Sequence, residues 1–243
     1  LISPQQSFID FSKRYYLLPN QYQSFKNSGI SSNENILIGP LFQNYKKKYN
    51  LNKAFKNKII ISIFSSTLGE NSVHSYNSHK CFFLNLFQFM KDVDNNYLFI
   101  IKIKNFKKDI NKHNKIFKNK LCNYLIRNKK MILIKEEVES QELINCSNAV
   151  ISMAFTSPTF EALASNKPAI FFDPYKLAKN NYLEGLNDLY INDKQKLNLF
   201  IESIVKEKEI SSWIKNIRKE IGLEKANLGI EKIKNDLKGF YDY

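Results

Sequence analysis

One short stretch concentrates the residue types that hold anions. In Val150-Ile-Ser-Met-Ala-Phe-Thr-Ser-Pro-Thr-Phe-Glu161 an apolar run ends among hydroxyl residues and a proline. Ser157-Pro158 predicts an N-cap followed by proline at the first helical position. A helix that opens there has free N–H groups and a positive dipole end, and the hydroxyls of Thr156, Ser157 and Thr159 add donors, so a phosphate fits. The spacing puts Glu161 in the first turn, where a carboxylate complements the dipole or accepts hydrogen bonds from a ribose diol. A plain helix cap satisfies the same pattern, and local residue types leave both readings open.

Two further places have usable chemistry. Ser65-Ser66-Thr-Leu-Gly69 puts small hydroxyl residues and a glycine between an apolar run and a helical pattern, where backbone amides can approach an anion. It is neither GxGxxG nor a P-loop, because no Gly-Lys-Ser/Thr follows. In Ile100-Ile-Lys-Ile-Lys-Asn105, Lys102 alternates with isoleucines near a strand end, and Lys104 lies two residues on and points the same way. Two such ammonium groups suit a diphosphate or a sugar carboxylate, or they are a solvated strand terminus. Asp173, before Pro174, faces the same end of the sheet. No Ser/His/Asp or Cys/His set is apparent, Glu136-Glu137 are neighbours that point apart, and the catalytic residues stay unassigned. Cys81, Cys122 and Cys146 read as reduced cytosolic thiols. His74, His79 and His113 sit in polar sequence without HExxH, so no metal or other cofactor is expected.

These loops need strands and helices to place them. Residues 59–64, 98–103, 131–134, 149–153 and 169–172 are apolar runs that read as buried strands. Helical patterns separate them at 76–94, with Phe82, Phe83, Leu86, Phe87 and Met90 inward, and at 111–128, with Ile116, Leu121, Leu125 and Ile126 inward. Others follow at 140–145, 158–165, 194–208 and 211–221. Continuous apolar strands alternating with helices predict an α/β fold, a Rossmann-like doubly wound parallel sheet with helices on both faces and right-handed crossovers. Ligands in such sheets bind beyond the carboxyl ends of the strands at the topological switch point. Residues 1–56 hold one short apolar run, a helix-like segment ending at Gly29, a short strand at 35–38 and a lysine-rich connector at 44–57. They read as a segment leading into a domain at 57–243.

Of the 243 residues 37 are Lys or Arg and 23 are Asp or Glu, a net charge of +14. Lysine outnumbers arginine 34 to 3 and there are 30 asparagines, so A/T-rich coding accounts for much of the basicity. Residues 44–135 hold 20 basic and 4 acidic residues, a net of +16. Lys107, Lys108, Lys112, Lys115, Lys118 and Lys120 decorate one helical face, which reads as solvated or as a contact for anionic lipid. With so little arginine and no helix-turn-helix, RRM or zinc pattern, nucleic acid is not an expected partner. No apolar run approaches the ~20 residues that a membrane helix needs. The chain opens at Leu1 with neither an initiator Met nor a basic-plus-apolar leader, which suggests part of a longer cytoplasmic polypeptide.

The stretch from Cys146 to Pro174, Cys-Ser-Asn-Ala-Val-Ile-Ser-Met-Ala-Phe-Thr-Ser-Pro-Thr-Phe-Glu-Ala-Leu-Ala-Ser-Asn-Lys-Pro-Ala-Ile-Phe-Phe-Asp-Pro, resembles the donor-nucleotide block of GT-B glycosyltransferases that assemble bacterial surface polysaccharide. There a strand runs into a Ser/Thr loop, then a helix carrying a Glu, then a strand ending in Asp-Pro. Asn35-Ile-Leu-Ile-Gly-Pro resembles the segment that crosses from the N-terminal acceptor domain, and residues 64–72 match the first loop of the C-terminal domain. The resemblance implies sugar transfer from a nucleotide sugar to a glycan or lipid-linked acceptor, without a metal. Glu161 would hold the ribose, Thr156, Ser157 and Thr159 the phosphate, and Ser65, Ser66 and Lys102 the phosphate or sugar. The Ser-Met-x-Phe-Thr-Ser form looks most like transferases that use CMP-activated acidic sugars such as Kdo. A Lys-Ile-Lys at 102–104 stands where many members carry His-Pro or Arg. The family's base comes from an N-terminal domain that 243 residues leave no room for, and peripheral contact with the inner membrane face fits the basic surface. Two other readings stand beside this one: a nucleotide-sugar 2-epimerase, and a non-enzymatic basic module for anionic lipid or RNA.

Overall fold

Two short strands near the N-terminus, β1 (Phe11–Tyr16) and β2 (Ser32–Leu37), pair in parallel, with Phe11 beside Ser32 and Tyr16 beside Leu37. They belong to one of two compact units, formed by Leu1–Gln43 with Lys215–Tyr243; the other is Asn44–Ile214. The computed structural model describes residues 11–16, 32–37, 55, 57–68, 74–104, 110–134, 138–177, 188–221 and 223. The expected helix-like segment ending at Gly29 and most of the connector at 44–57 lie outside these residues, as do Gly69, Lys107, Lys108 and Glu136-Glu137.

The larger unit begins with the β-branched run that forms β3 (Ile59–Phe64), followed by α1 (Tyr76–Asp92), β4 (Tyr97–Lys102), α2 (Ile110–Phe117), α3 (Lys120–Arg127) and β5 (Met131–Ile134). Then come α4 (Ser140–Cys146), β6 (Ala149–Met153), α5 (Ser157–Ala164), β7 (Ala169–Phe172), β8 (Tyr190–Ile191), α6 (Lys194–Ser203) and α7 (Glu207–Glu220), the last of which runs past the unit's end. Six strands form one parallel sheet in the order β5-β4-β3-β6-β7-β8. From β3 the chain winds outward to β4 and β5, returns to β6 beside β3, and winds the other way. Right-handed crossovers then put α1–α3 on one face and α4 and α5 on the other, in keeping with α1 packing on α2 and α3, and α4 on α5. The Rossmann-like doubly wound fold expected from the sequence is the fold observed.

The period-2 burial of a one-sided sheet is absent: every residue of β6 and β7 is buried, as apolar runs covered on both faces must be. One continuous core joins Ile61, Ile63, Phe99 and Ile151 of the sheet to Phe82, Phe83, Leu86, Phe87 and Met90 of α1 and to Leu197 and Phe200 of α6. The single helix expected at 111–128 is two. Asn119 ends the first and caps the second, accepting the Cys122 N–H at 2.7 Å. That break resets the helical phase, so Cys122 and Leu125 are buried while Ile126, expected inward, is exposed. Lys112, Lys115, Lys118 and Lys120 are exposed, but Lys130 at the end of the lysine-rich stretch is buried.

Candidate functional site

Because the winding reverses between β3 and β6, the carboxyl ends of these two strands flank the switch point, where an open α/β sheet leaves its crevice. The two loops that the sequence nominates for anions are the ones that leave these ends. The register sets Phe64 beside Ser152 and also beside Lys102, so all three strand ends lie level.

After β6 the backbone turns sharply. Phe155 is left-handed, with φ of 59°, and 40% exposed. Such a conformation is rare for a bulky residue and persists only where the surroundings enforce it. The Thr156 hydroxyl donates to the Met153 carbonyl at 2.7 Å and closes the turn. Thr156, not Ser157, is therefore the N-cap of α5, and Pro158 is the second helical residue; no side chain caps the helix. The unspent cap leaves the first N–H groups of α5 to other partners, with the exposed Ser157 beside them. Thr159 is fully buried, its hydroxyl shared with Ser152 Oγ at 2.5 Å and donating to the Ile170 carbonyl at 3.1 Å. It ties α5 to β6 and β7. Glu161 is half-buried and lies beyond the first turn, at the fifth helical position, because the helix starts one residue earlier than expected.

On the β3 side, Ser65 is buried. Its N–H donates to the Lys102 carbonyl at 3.2 Å and its hydroxyl accepts the Lys104 N–H at 3.0 Å, which holds the end of β4. Ser66 is half-buried, and its carbonyl meets His79 Nε2 at 3.1 Å. Lys102 is half-buried and its ammonium donates to Ser140 Oγ, at the start of α4, at 3.2 Å. Lys104 is exposed in the turn that follows β4, two residues beyond the strand's last residue, Lys102.

Histidines that look polar in sequence are buried together. His74 is 2% exposed and His79 and His113 are fully buried. The His74 and His79 rings meet edge-on, 5.9 Å apart, and the His79 and His113 rings are 6.5 Å apart. His74 Nε2 lies 2.7 Å from the Ala154 carbonyl, which can only accept, so this nitrogen carries the proton. Burial lowers the His74 pKa below its usual 6.5; the Ala154 bond opposes this, His79 adds to it, and the Asp173 carboxylate opposes it. Asp173 also raises the Cys81 thiol, after burial, and the buried Tyr190 phenol, again after burial. Tyr190 stacks on Phe171 at 4.8 Å and meets Phe155 at 6.2 Å. Sequence reading missed the histidines because it took polar neighbours for polar surroundings. The available signal was Ser75, which caps α1 by accepting the Ser78 N–H at 3.2 Å and so places both flanking histidines at the carboxyl end of the sheet. Among the described residues no group of three or more His, Cys, Asp or Glu is arranged to hold a metal ion.

Several solved structures share this fold. MnaA of S. aureus with UDP is 12% identical, with a TM-score of 0.60, covering 95% of this chain and 61% of that one. The UDP-GlcNAc 2-epimerase of Neisseria meningitidis bound to UDP-GlcNAc is 12% identical, with a TM-score of 0.58, covering 93% and 62%. The wall teichoic acid polymerase TagF is 14% identical, with a TM-score of 0.54, covering 96% and 60%. The chain thus spans about three-fifths of the length of these proteins. No curated protein matches its sequence. Residues 2–201 match a family described by a PFTS motif, and Ala154-Phe155-Thr156-Ser157 differs from those four letters only in the first. With some four-fifths of its length matched, the chain belongs to the polysaccharide biosynthesis PFTS motif protein family.

Proposed function

We propose that this chain is the donor-nucleotide-binding portion of a GT-B glycosyltransferase of polysaccharide biosynthesis. The observation that carries the reading is the left-handed turn at Phe155, which delivers an uncapped helix N-terminus to the switch point of the sheet. Ser157 and the α5 amides face the phosphate of the donor, Thr156 shapes the turn through its bond to Met153, and Glu161 takes the ribose. Ser66 and the backbone of Ser65 line the opposite loop, and Lys102 and Lys104 meet a phosphate or a sugar carboxylate. Helix dipole and ammonium groups stabilise the charge that develops on the departing nucleotide, so no metal is required. A CMP-activated acidic sugar such as Kdo suits the lysines best, and the acceptor is a surface glycan or its lipid-linked precursor. An N-terminal half then supplies the base, and the nucleotide site lies in the compact unit Asn44–Ile214. The enzyme works in the cytoplasm, and the exposed lysines of α2 and α3 give it peripheral contact with an anionic membrane face.

Thermal denaturation with and without millimolar CMP or UDP tests the reading. A ligand at 100 times its Kd adds about 2.7 kcal/mol, so the melting temperature rises by several degrees with one of them, and Glu161→Ala abolishes the rise. If neither nucleotide shifts it, the reading fails. One observation favours a second reading: a buried histidine in the field of Asp173 at the crevice is the pairing that a nucleotide-sugar 2-epimerase wants. Formation of the C2 epimer from a UDP-N-acetylhexosamine would select it.

A further inference from the structure

We infer that His74 and His79 are positioning residues that bridge the two crevice loops, at 65–66 and 154–156, and fix their spacing for the anionic part of a nucleotide. The inference rests on the reading above. His74 Nε2 donates to the Ala154 carbonyl at 2.7 Å, across 80 residues of sequence. His79 Nε2 lies 3.1 Å from the Ser66 carbonyl, and its Nδ1 lies 3.1 Å from the carbonyl of the helix cap Ser75. The two rings meet at 90° with centroids 5.9 Å apart, and both are buried. A continuous path of two imidazoles therefore runs from one candidate loop to the other. Each loop turns a carbonyl oxygen to an imidazole; a neutral His79 donates to only one of Ser66 and Ser75, and the bridge requires the tautomer with its N–H at Nε2, toward Ser66. A carbonyl turned to an imidazole N–H is not turned to an anion, so the bridge withdraws two negative dipole ends from the crevice. Ala154 also precedes the left-handed Phe155, a conformation that needs an external hold. The buried imidazole at 74 supplies that hold from outside the loop, in addition to the Thr156–Met153 bond within it.

The test compares His74→Gln, His74→Asn and His74→Leu in the whole chain, by amide hydrogen exchange at 154–157 and by calorimetric titration with CMP and UDP. The glutamine amide reaches about as far as imidazole Nε2, whereas asparagine falls short and leucine has no donor. Loss of one ordinary hydrogen bond corresponds to roughly five- to tenfold. Exchange at 154–157 accordingly quickens by about that factor in the leucine and asparagine variants and stays near wild type in the glutamine variant. Nucleotide affinity falls by about the same factor in the first two and is rescued in the third. A structural role alone would lower the melting temperature of all three without this ordering. The asparagine–glutamine contrast decides if leucine prevents folding. Unchanged exchange at 154–157, or glutamine behaving like asparagine, overturns the inference. If wild type binds neither nucleotide, the functional reading fails, while the exchange result still decides whether the bridge exists.

Discussion

A hydroxyl near a helix N-terminus can serve a ligand or the fold, and Thr159 serves the fold. Its bonds to Ser152 and to the Ile170 carbonyl lie in a fully buried environment. Thr159→Val keeps the shape and strands both partners, and a buried polar group left unmade costs about 1–3 kcal/mol. Urea denaturation should show a loss of that size, with nucleotide affinity little changed in the folded protein. His74 makes a different prediction. Its pKa is lowered in the folded chain relative to about 6.5 when exposed. Between the two values the unfolded chain binds more protons, so acid favours unfolding. Stability is thus fully present above about pH 6.5 and is lost as pH falls through the lowered value. Melting temperatures measured from pH 7.5 down to 5 should fall in wild type and fall less in His74→Gln, which has nothing to titrate at that site.

The helix ends show why some of this architecture was legible in the sequence and some was not. Strand positions followed from apolar runs, and α1 from five apolar residues at helical spacing, because burial imposes those periods directly. The ends of α3 and α5, expected at 128 and 165, fall within one residue of Arg127 and Ala164, but how each end closes has no such signal. Each closes in a Schellman motif without glycine: Lys129 and Asn166 take the left-handed position with φ of 54° and 56°. In the first motif Lys130 N–H donates to the Leu125 carbonyl, and in the second Lys167 N–H to that of Ala162. Both following lysines are then turned onto the end of another helix. Lys130 Nζ reaches the carbonyls of Met90, Lys91 and Val93 at the end of α1, and Lys167 Nζ those of Asn145 and Ser147 at the end of α4. In a chain with 34 lysines these two look like all the others, and only the long-range contact distinguishes them. The same limit applies to the site. Thr156, Ser157 and Glu161 were placed to within a residue by local pattern, whereas the His74–Ala154 bond spans 80 residues and leaves no local trace. Two substitutions probe these ends. Lys129→Gly removes the left-handed penalty on a side chain and should raise stability by about 0.5–1 kcal/mol. Lys130→Met keeps the stem but leaves three carbonyls short of a donor, and should lower it by about 1–3 kcal/mol. Paired denaturation curves measure both.

Over the whole molecule, the charge acts through its sum. At +14 the folded chain brings like charges together, and residues 44–135 alone contribute +16. Among the described residues, the ion pairs Lys194–Asp92 and Lys206–Glu209 are both exposed and contribute little against that repulsion. Lysines such as Lys130 and Lys167 act instead through hydrogen bonds to carbonyls in sheltered surroundings, which salt screens only weakly. Repulsion between exposed lysines, by contrast, is screened over about 10 Å at 0.1 M ionic strength. Net self-repulsion should therefore dominate the salt response. The melting temperature of the chain should rise by a few degrees between about 10 and 150 mM sodium chloride and then level off. On the proposed reading, a nucleotide at the switch point would neutralise part of the same field, so in low salt its stabilising effect should be larger than in 150 mM. If the melting temperature instead fell with salt, attractive pairs would outweigh repulsion, and the lysine-rich stretch would be a structural network and not a solvated surface. Scanning calorimetry at three salt concentrations, each with and without CMP, separates the two outcomes.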